Sequence, residues 1–182
     1  MNIVVAGRGH VGGGLADLWE RAGHTVTRLG RDGGDVSIAD VVLLAVPGGS
    51  VQDALGKLRG LHGKTLIDAT NRFGAEPPAG FPSNAEYAKS VTGGPTAKAF
   101  NLNFARLYHR LGAARSEPGN IWCGDEGARQ AVEQLTRDAG YEPVYAGGLE
   151  NAAAQEHAME IWGALSAQNG PFLYRIAHPE EL

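Results

Sequence analysis

The stretch Ile3-Val4-Val5-Ala6-Gly7-Arg8-Gly9-His10-Val11-Gly12 decides the fold that we predict for this 182-residue chain. Its first four residues are a short β-branched apolar run closed by glycine, which is typical of a buried parallel strand. After the glycines, apolar residues recur at helical spacing, at Val11, Leu15, Leu18 and Ala22. Gly23 follows where a left-handed helix cap belongs. A strand, a glycine turn and a helix in this order open an α/β fold with parallel strands.

The turn has the G-x-G-x-x-G spacing, and each of its glycines has a physical role. Gly7 permits a tight turn, Gly9 lets the backbone approach a pyrophosphate, and Gly12 lets the helix pack closely on the strand. The free amide groups at the helix N-terminus then favour an anion. The alternative is a plain strand-to-helix turn, because a chain with 27 glycines produces chance matches. We favour the phosphate site and predict that it comprises Gly7, Arg8, Gly9, His10, Val11 and Gly12.

Two details of this stretch remain open. His10 can contact the pyrophosphate or simply occupy the surface, and the sequence supports both equally. Gly13 and Gly14 prolong the glycine run into the helix, where each costs about 1 kcal/mol against Ala. We therefore expect a neighbour there that requires a bare backbone.

The rest of the chain alternates between strand and helix patterns. Further strands are predicted at 25–29, 41–46, 65–69, 98–100, 121–123 and 142–145, and helices at 51–61, from Ser83 with Glu86 as a capping box, at 126–139 between the caps Asp125 and Gly140, and from Glu150 onward. This order predicts a Rossmann-type, doubly wound, mostly parallel sheet with C-terminal helices. Residues 30–40 are too few for a strand-helix-strand unit, so one crossover helix should be shortened or missing. We expect one globular unit, with a dinucleotide-binding domain at 1–148 and a helical segment at 149–182 packed on it.

The end of the second strand bears on the choice of cofactor. NAD sites usually place a carboxylate there for the ribose hydroxyls, whereas NADP sites place Arg and small polar groups. Here Gly30 and Arg31 end the strand, and no carboxylate stands before Asp32. Arg31 can pair with a 2′-phosphate, and Arg8 can add a second cation or stack on adenine. These residues favour NADP, unless a shift of the strand end brings Asp32 into the site.

Later strand ends should lie at the same rim of the sheet. The far wall of the cofactor cleft is predicted at Ala45, Val46 and Pro47. Asn71 ends the next strand, beside the nicotinamide half of the cofactor. For Lys98 and Asn101 the nicotinamide pocket and a simple sheet edge are alternatives, and we slightly favour the pocket.

Two further groups have both a structural and a functional interpretation. Glu156, His157 and Glu160 lie close on one predicted helix and could transfer protons or bind a metal. No second His stands at the i+4 spacing of a zinc helix, so we favour a solvated or interface face and predict no metal site. Cys123 is the only cysteine, and we interpret it as a small core residue rather than a nucleophile.

Composition narrows the functional classes. The net charge of −4, the pI near 5.8 and the scattered basic residues argue against nucleic-acid binding. No apolar stretch approaches the roughly 20 residues of a membrane span, and the N-terminus does not resemble a signal peptide. With a single cysteine that cannot form an intrachain disulfide, a cytoplasmic location is expected.

Several motifs together resemble those of a known family. They are Gly7 to Gly12, Ala22-Gly23-His24, Ala39 to Pro47, Ile67 to Asn71, Lys98 to Asn101, Cys123 to Asp125 and Gly140 to Gly147. In order and spacing these are similar to the coenzyme F420-dependent NADP oxidoreductases, which use a deazaflavin. The resemblance implies NADP specificity, with Gly30 and Arg31 at the adenosine phosphate, Ala45 to Pro47 along the cofactor and Asn71 near the nicotinamide.

The family's reaction is a hydride transfer between nicotinamide and a deazaflavin, in which positioning does most of the catalytic work. The chain departs from the family at Gly30, where Ser or Thr is usual, in the short segment 32–35, and at 155–158, where Leu-Glu-Pro-Leu is typical. We therefore predict an NADP-dependent oxidoreductase with a small-molecule redox partner, for which the resemblance implies a deazaflavin, and we assign no catalytic residue. Another acceptor, such as a flavin, metal chelate, carbonyl or imine, and a non-catalytic dinucleotide sensor are the alternatives. The apolar C-terminal helix suggests a homodimer.

Overall fold

A seven-stranded sheet organises the chain in the computed structural model, which describes residues 1–114, 116–177 and 179–181. The strands are β1 (Asn2–Ala6), β2 (Thr25–Leu29), β3 (Gly34–Asp35), β4 (Val41–Leu44), β5 (Leu58–Arg59), β6 (Thr65–Asp68), β7 (Thr96–Lys98), β8 (Gly119–Gly124) and β9 (Glu142–Tyr145). The α-helices are α1 (His10–Arg21), α2 (Val51–Gly56), α3 (Asn84–Thr92), α4 (Arg129–Asp138) and α5 (Ala152–Asn169). Short 3-10 helices lie at Gly48–Ser50, Ala105–Ala113, Glu126–Ala128, Leu149–Asn151 and Pro179–Glu181.

The strand order is β2-β1-β4-β6-β7-β8-β9, and every pairing is parallel except that of β7 with β8. Helices cover both faces, so the central strands β1 and β4 are buried almost throughout. The prediction of a Rossmann-type, mostly parallel sheet is confirmed. Parallel strands end at one edge, and this edge carries the candidate site.

The connection between β2 and β4 contains no helix, as predicted. In its place the two-residue strand β3 pairs with β5 in a separate small sheet. The side chain of Lys64 fixes this connection, because its Nζ donates hydrogen bonds to the carbonyl oxygens of Ser37 and Ala39 at 2.5 and 2.9 Å. As a consequence β2 is an edge strand of the main sheet.

The same small sheet corrects the predicted helix 51–61. The helix α2 ends at Gly56, and the backbone of Leu58 pairs with Gly34 instead of continuing the helix. The apolar spacing of Leu58 with Val51 and Leu55 therefore reflects burial in one core cluster rather than a shared helical face. Gly60, with a left-handed φ of 75°, lets the chain turn after β5.

Two apolar cores flank the sheet, one on each face. The helix α1 contributes Leu15, Ala16 and Trp19 to the first core, with Trp19 fully buried and its indole N–H donating to the carbonyl oxygen of Leu135 at 2.8 Å. Ala22, which the periodicity placed on the inner face, is exposed. The inner face is thus set by Trp19, whose large side chain gains most from burial.

Three predicted strands end earlier in the structure. The strand predicted at 41–46 ends at Leu44, and that at 65–69 ends at Asp68, because the following residues turn into the candidate site. The strand predicted at 98–100 is Thr96–Lys98, since Phe100 adopts a left-handed backbone with φ of 63° that a strand excludes.

The predicted helix caps are confirmed in part. The hydroxyl of Ser83 accepts from the amide of Glu86 at 3.1 Å, and Gly140 has the left-handed φ of 87°. Asp125 does not cap the helix from 126, which begins as a 3-10 turn; its carboxylate accepts from the amide of Thr96 and from Lys89 instead.

The helix α5 packs on the sheet only through its first turns. Its buried residues are Ala152, Gln155 and Glu156, whereas Ile161 and Leu165 are 54 % and 42 % exposed. Its second half contacts the chain through Trp162, whose ring lies against those of Phe172 and Tyr174. Within the described residues, no helix is both long and apolar enough to cross a membrane.

Candidate functional site

Backbone contacts between glycines shape the turn after β1. Gly7 has a φ of 119°, and a Cβ atom built on it would lie 2.1 Å from the carbonyl oxygen of Ala45. A Cβ atom on Gly12 would lie 2.2 Å from the carbonyl oxygen of Gly7. Both positions therefore require glycine. A Cβ atom on Gly9 would meet nothing within 4 Å, so the backbone there faces open space that a ligand can occupy.

The N-terminus of α1 points into this open space. Gly9 is the N-cap, and the first helical hydrogen bond runs from the amide of Gly13 to its carbonyl oxygen at 2.8 Å. The amide groups of His10, Val11 and Gly12 consequently have no acceptor within the helix. The first turn carries no acidic side chain that would repel an anion. Together with the open backbone of Gly9, these donors fit a pyrophosphate.

The two extra glycines differ in what surrounds them. A Cβ atom on Gly14 would lie 2.5 Å from the ring of Tyr108, so the expected need for a bare backbone is found there. At Gly13 a Cβ atom would make only an ordinary contact, 3.6 Å from the carbonyl oxygen of Arg8. Tyr108 itself is buried among the residues of the first core, which fixes the distance of α1 from the Ala105–Ala113 helix.

Two arginines flank the end of β2. A Cβ atom on Gly30 would lie 3.2 Å from both Cζ and Nη2 of Arg8, so the guanidinium of Arg8 lies over this glycine. Arg31 follows directly and is exposed, as Arg8 is. Neither guanidinium makes an ion pair with any residue that the structure describes. Asp32 is also exposed, and the strand ends at Leu29 as predicted, so the boundary shift that would bring Asp32 into the site is not observed.

The residues predicted as the far wall leave the sheet after β4. Ala45 donates its amide to the carbonyl oxygen of Ala6 and lies against Gly7, while Val46 is half-buried and Pro47 exposed. A Cβ atom on Gly48 would lie 2.6 Å from the carbonyl oxygen of Asn71. The loops after β4 and β6 are therefore in contact at this rim.

A chain of amide side chains extends the rim towards α5. Asn71 donates from Nδ2 to the carbonyl oxygen of Asn101 at 2.7 Å and accepts from its Nδ2 at 3.1 Å. Gln155 donates to Oδ1 of Asn101 at 2.7 Å. Asn71 and Asn101 thus come together at the predicted rim, and both are held in fixed orientations. Sequence analysis did not single out Gln155, because its hydrogen-bond partner Asn101 lies 54 positions away in the sequence.

Lys98 is not in an open pocket, contrary to our preference. Its side chain is fully buried, and Nζ donates to Oδ2 of Asp68 at 2.8 Å, to Oε1 of Glu156 at 2.8 Å and to the carbonyl oxygen of Thr70 at 2.5 Å. An ammonium group needs such partners to offset its loss of hydration. Lys98 therefore ties the end of β6 to α5 below the site.

Glu156 is likewise not on a solvated face, and that prediction is wrong. Its carboxylate is 1 % exposed, with Oε1 at Lys98 and Oε2 2.5 Å from Nε of Arg72. The four side chains Asp68, Lys98, Glu156 and Arg72 form a buried network of alternating charge. Charged side chains are rarely buried unless they are paired with an opposite charge. The sequence does not show which residue would pair with Glu156, so its burial was not predicted.

The neighbours of Glu156 on α5 behave as predicted. His157 and Glu160 are exposed and line a cavity beside the loop that follows Asn71. No cluster of three or more His, Cys, Asp or Glu side chains among the described residues is arranged to hold a metal ion. Cys123 is a buried free thiol, and burial raises its pKa to about 12, so it is not a nucleophile at neutral pH.

Comparison with known proteins identifies the fold. No protein-family model and no curated protein sequence matches the chain. A solved structure from Arthrobacter sp. FB24, described as a candidate F420-dependent NADP reductase, superposes with a TM-score of 0.81 at 22% identity over 98% of this chain and 100% of that one. A reductive aminase from Aspergillus terreus in complex with NADPH gives 0.67 at 16% identity, over 91% of this chain and 62% of that one.

The 3-hydroxyisobutyrate dehydrogenase of Mycobacterium tuberculosis gives a TM-score of 0.65 at 15% identity, over 91% of this chain and 60% of that one. The chain thus spans about three-fifths of the length of the aminase and the dehydrogenase, and the whole length of the Arthrobacter protein. At these identities the likeness establishes a shared fold, and open α/β sheets of this kind bind ligands at the carboxyl ends of their strands.

Proposed function

We propose that this chain is an NADP(H)-dependent oxidoreductase that transfers hydride between nicotinamide and a small-molecule partner. The single observation that carries the proposal is the glycine turn. Gly7 and Gly12 are held in backbone contact, and the open backbone of Gly9 and the free amides of α1 face the same space. Such an arrangement binds a pyrophosphate without any charged side chain.

The preference for NADP rests on the two arginines at the end of β2. Arg8 and Arg31 are exposed cations beside Gly30, where a 2′-phosphate of the adenosine would lie. Guanidinium groups suit phosphate because they donate two parallel hydrogen bonds. Two of the proteins with a similar fold, described as an NADP reductase and as an aminase in complex with NADPH, support the preference for NADP.

The remaining rim residues are proposed to position the nicotinamide half. When bound, nicotinamide supplies or accepts a hydride at its C4 atom. The loops at Ala45 to Pro47 and at Asn71 would hold the ring, since they contact each other through Gly48 and Asn71 is fixed by Asn101. The buried Lys98–Glu156 ion pair would keep these loops in a fixed position relative to α5. Positioning of this kind lowers the entropic part of the barrier.

A deazaflavin is the redox partner that the sequence resemblance implies. The fold shared with the Arthrobacter protein supports it as a first substrate to test. We expect tight NADP binding by isothermal titration calorimetry, and oxidation of NADPH by an added acceptor, followed by absorbance. Failure to bind NADP or NAD would overturn the proposal.

A non-catalytic dinucleotide sensor is the second candidate. The observation that favours it is that the glycine turn would bind phosphate and take no part in hydride transfer, while Lys98 and Glu156 are occupied in a buried ion-pair network. Tight binding of NADP without hydride transfer to a deazaflavin, flavin, metal chelate, ketone or imine would favour the sensor. Turnover with any of these acceptors would exclude a purely sensing role.

The proposed functional unit is a cytoplasmic homodimer formed through α5. Beyond Glu156 no residue of this helix is buried, although Ile161 and Leu165 are apolar and substantially exposed. A second copy of the same face would remove these side chains from water. Light scattering should give twice the monomer mass, and Leu165→Asp should reduce it to that of a monomer. A monomeric wild-type protein would contradict this part of the proposal.

A further inference from the structure

A cavity of about 410 Å³ begins one residue after Asn71, which is proposed to hold the nicotinamide. It lies between the loop that follows Asn71 and the first half of α5, and its walls include Arg72, Phe73 and His157. Arg72 is the residue after Asn71, and its guanidinium is anchored to buried Glu156. This volume is within the range of small-molecule sites, about 300–1,000 Å³.

Phe73 provides an apolar wall at an energetic cost to the backbone. Its side chain is 81 % exposed, and its φ of 45° lies in the left-handed region that a bulky residue rarely adopts. An exposed aromatic ring and a strained backbone do not stabilise the fold, and both occur at ligand sites. The ring is therefore available to cover a ligand in the cavity.

His157, on α5, also lines the cavity and is held by a hydrogen bond to its own helix. Its Nδ1 lies 2.8 Å from the carbonyl oxygen of Ala153, and a carbonyl oxygen can only accept, so Nδ1 carries a proton. Nε2 makes no hydrogen bond to a residue that the structure describes and is consequently the ring atom available to a ligand. A histidine oriented through Nδ1 with a free Nε2 is the arrangement used in general acid catalysis.

The charged groups around His157 favour a neutral or cationic ligand. Besides His157, the cavity is lined by Arg72, Glu76, Glu156 and Glu160. Arg72 and Glu156 compensate each other as an ion pair 2.5 Å apart. The exposed carboxylates of Glu76 and Glu160 remain, and they disfavour an anionic ligand.

We infer that His157 is the proton donor for a small carbonyl or imine that is reduced in this cavity. The inference rests on the proposed function, because the hydride comes from C4 of the nicotinamide. In the step, the C=O or C=N carbon gains that hydride, the π-bond electrons move to the heteroatom, and the heteroatom takes the proton from Nε2. The products are an alcohol or amine and oxidised nicotinamide, and His157 regains its proton from water because it is exposed.

The test compares the wild type with His157→Gln and with the control His109→Gln. His109 is also exposed but lines a different cavity, with Leu18 and Arg137. NADPH oxidation is measured with cyclohexanone, with 1-pyrroline and with a deazaflavin. We expect turnover with the ketone or the imine, a loss of about 100-fold or more in kcat for His157→Gln, and wild-type rates for His109→Gln.

A binding measurement provides a readout that is independent of turnover. In protein labelled with ¹⁵N-histidine and loaded with NADP, the inert carbonyl 2-pyrrolidinone should shift the Nε2 resonance of His157 but not that of His109. Transfer to deazaflavin alone, or unchanged kcat in His157→Gln, would overturn the inference while leaving the oxidoreductase in place. NADPH binding without reduction of ketone or imine would also overturn it. Absence of NADPH binding would instead remove the proposed function on which it rests.

Discussion

The α carbon of Gly12 lies so close to the carbonyl oxygen of Gly7 that a Cβ atom would be 2.2 Å from it. Gly12→Ala should therefore push α1 away from β1, lower the free energy of unfolding by about 1–3 kcal/mol and weaken NADP binding. Gly13→Ala is the matched control, because its Cβ atom would lie 3.6 Å from the nearest oxygen and alanine favours the helix by about 1 kcal/mol. Urea denaturation and NADP titration of both variants measure the effect. Equal stability of Gly12→Ala and wild type would contradict the packing argument.

Arg8 and Arg31 should both donate hydrogen bonds to the 2′-phosphate of NADP. A hydrogen bond to a charged group contributes about 1.5–3 kcal/mol, so Arg8→Ala and Arg31→Ala should each weaken NADP binding by about tenfold or more. NAD binding should change little, since NAD lacks that phosphate. Calorimetric titration with 2′,5′-ADP and 5′-AMP isolates the same contact. Arg21→Ala, at the far end of α1, is the control, and equal loss of NAD and NADP affinity would exclude a role in specificity.

Loss of Lys98 should be strongly destabilising. Lys98→Met leaves the carboxylates of Asp68 and Glu156 buried without their shared cation, which typically costs about 3–5 kcal/mol. Lys57→Met, which removes an exposed pair with Asp53, should cost no more than about 0.5 kcal/mol. Chemical denaturation distinguishes the two. A loss below about 1 kcal/mol for Lys98→Met would mean that the network contributes little to stability.

The protein should lose stability at alkaline pH. Burial raises the pKa of Tyr174 and of the Cys123 thiol to about 12 in each case, and that of Tyr108 rises well above its ordinary value. Each group is more readily deprotonated in the unfolded chain, so its contribution is complete below its unfolded pKa of roughly 8.5–10 and is lost as pH rises towards the folded value.

The free energy of unfolding should consequently fall above about pH 9, by up to about 1.4 kcal/mol per pH unit for each group in this window. Urea denaturation across this range measures the slope. Cys123→Ala should reduce the slope at its lower end, and Tyr174→Phe should reduce it at its upper end. A free energy of unfolding that is constant up to pH 11 would contradict the assignment.

Local sequence patterns predicted the parts of the fold that depend on neighbours in the chain. The bounds of β2 and β9 match the structure because each is a short strand-forming run bounded by turn residues. The missing crossover helix followed from chain length alone, since residues 30–40 cannot span a strand-helix-strand unit. The glycine turn was predicted from the spacing of its glycines between a strand and a helix; the clash at Gly12 is local, with Gly7, but that at Gly7 is with the distant Ala45.

Contacts between distant residues could not be predicted in this way. Lys98 and Glu156 are 58 positions apart, and their pairing depends on how α5 crosses the sheet. Leu58 fits a helical pattern equally well, and only the pairing with Gly34 decides its conformation. The left-handed backbone of Phe100 has no sequence signal either, because phenylalanine has no intrinsic preference for it. The glycine turn was therefore predicted as a structural feature, whereas the contacts that α5 makes with the rim were not.

In the helix-free connection between β2 and β4, the residues that stabilise the fold differ from those proposed to recognise the cofactor. The connection is fixed by backbone pairing of β3 with β5 and by Lys64, whereas the turn at half-buried Gly30 and exposed Arg31 supplies little to the core. Changes in that turn can accumulate without disturbing the packing of a crossover helix. If the chain binds a nicotinamide cofactor as proposed, we expect very few substitutions to alter its choice between NADP and NAD, which would make it a tractable scaffold for laboratory evolution of cofactor use.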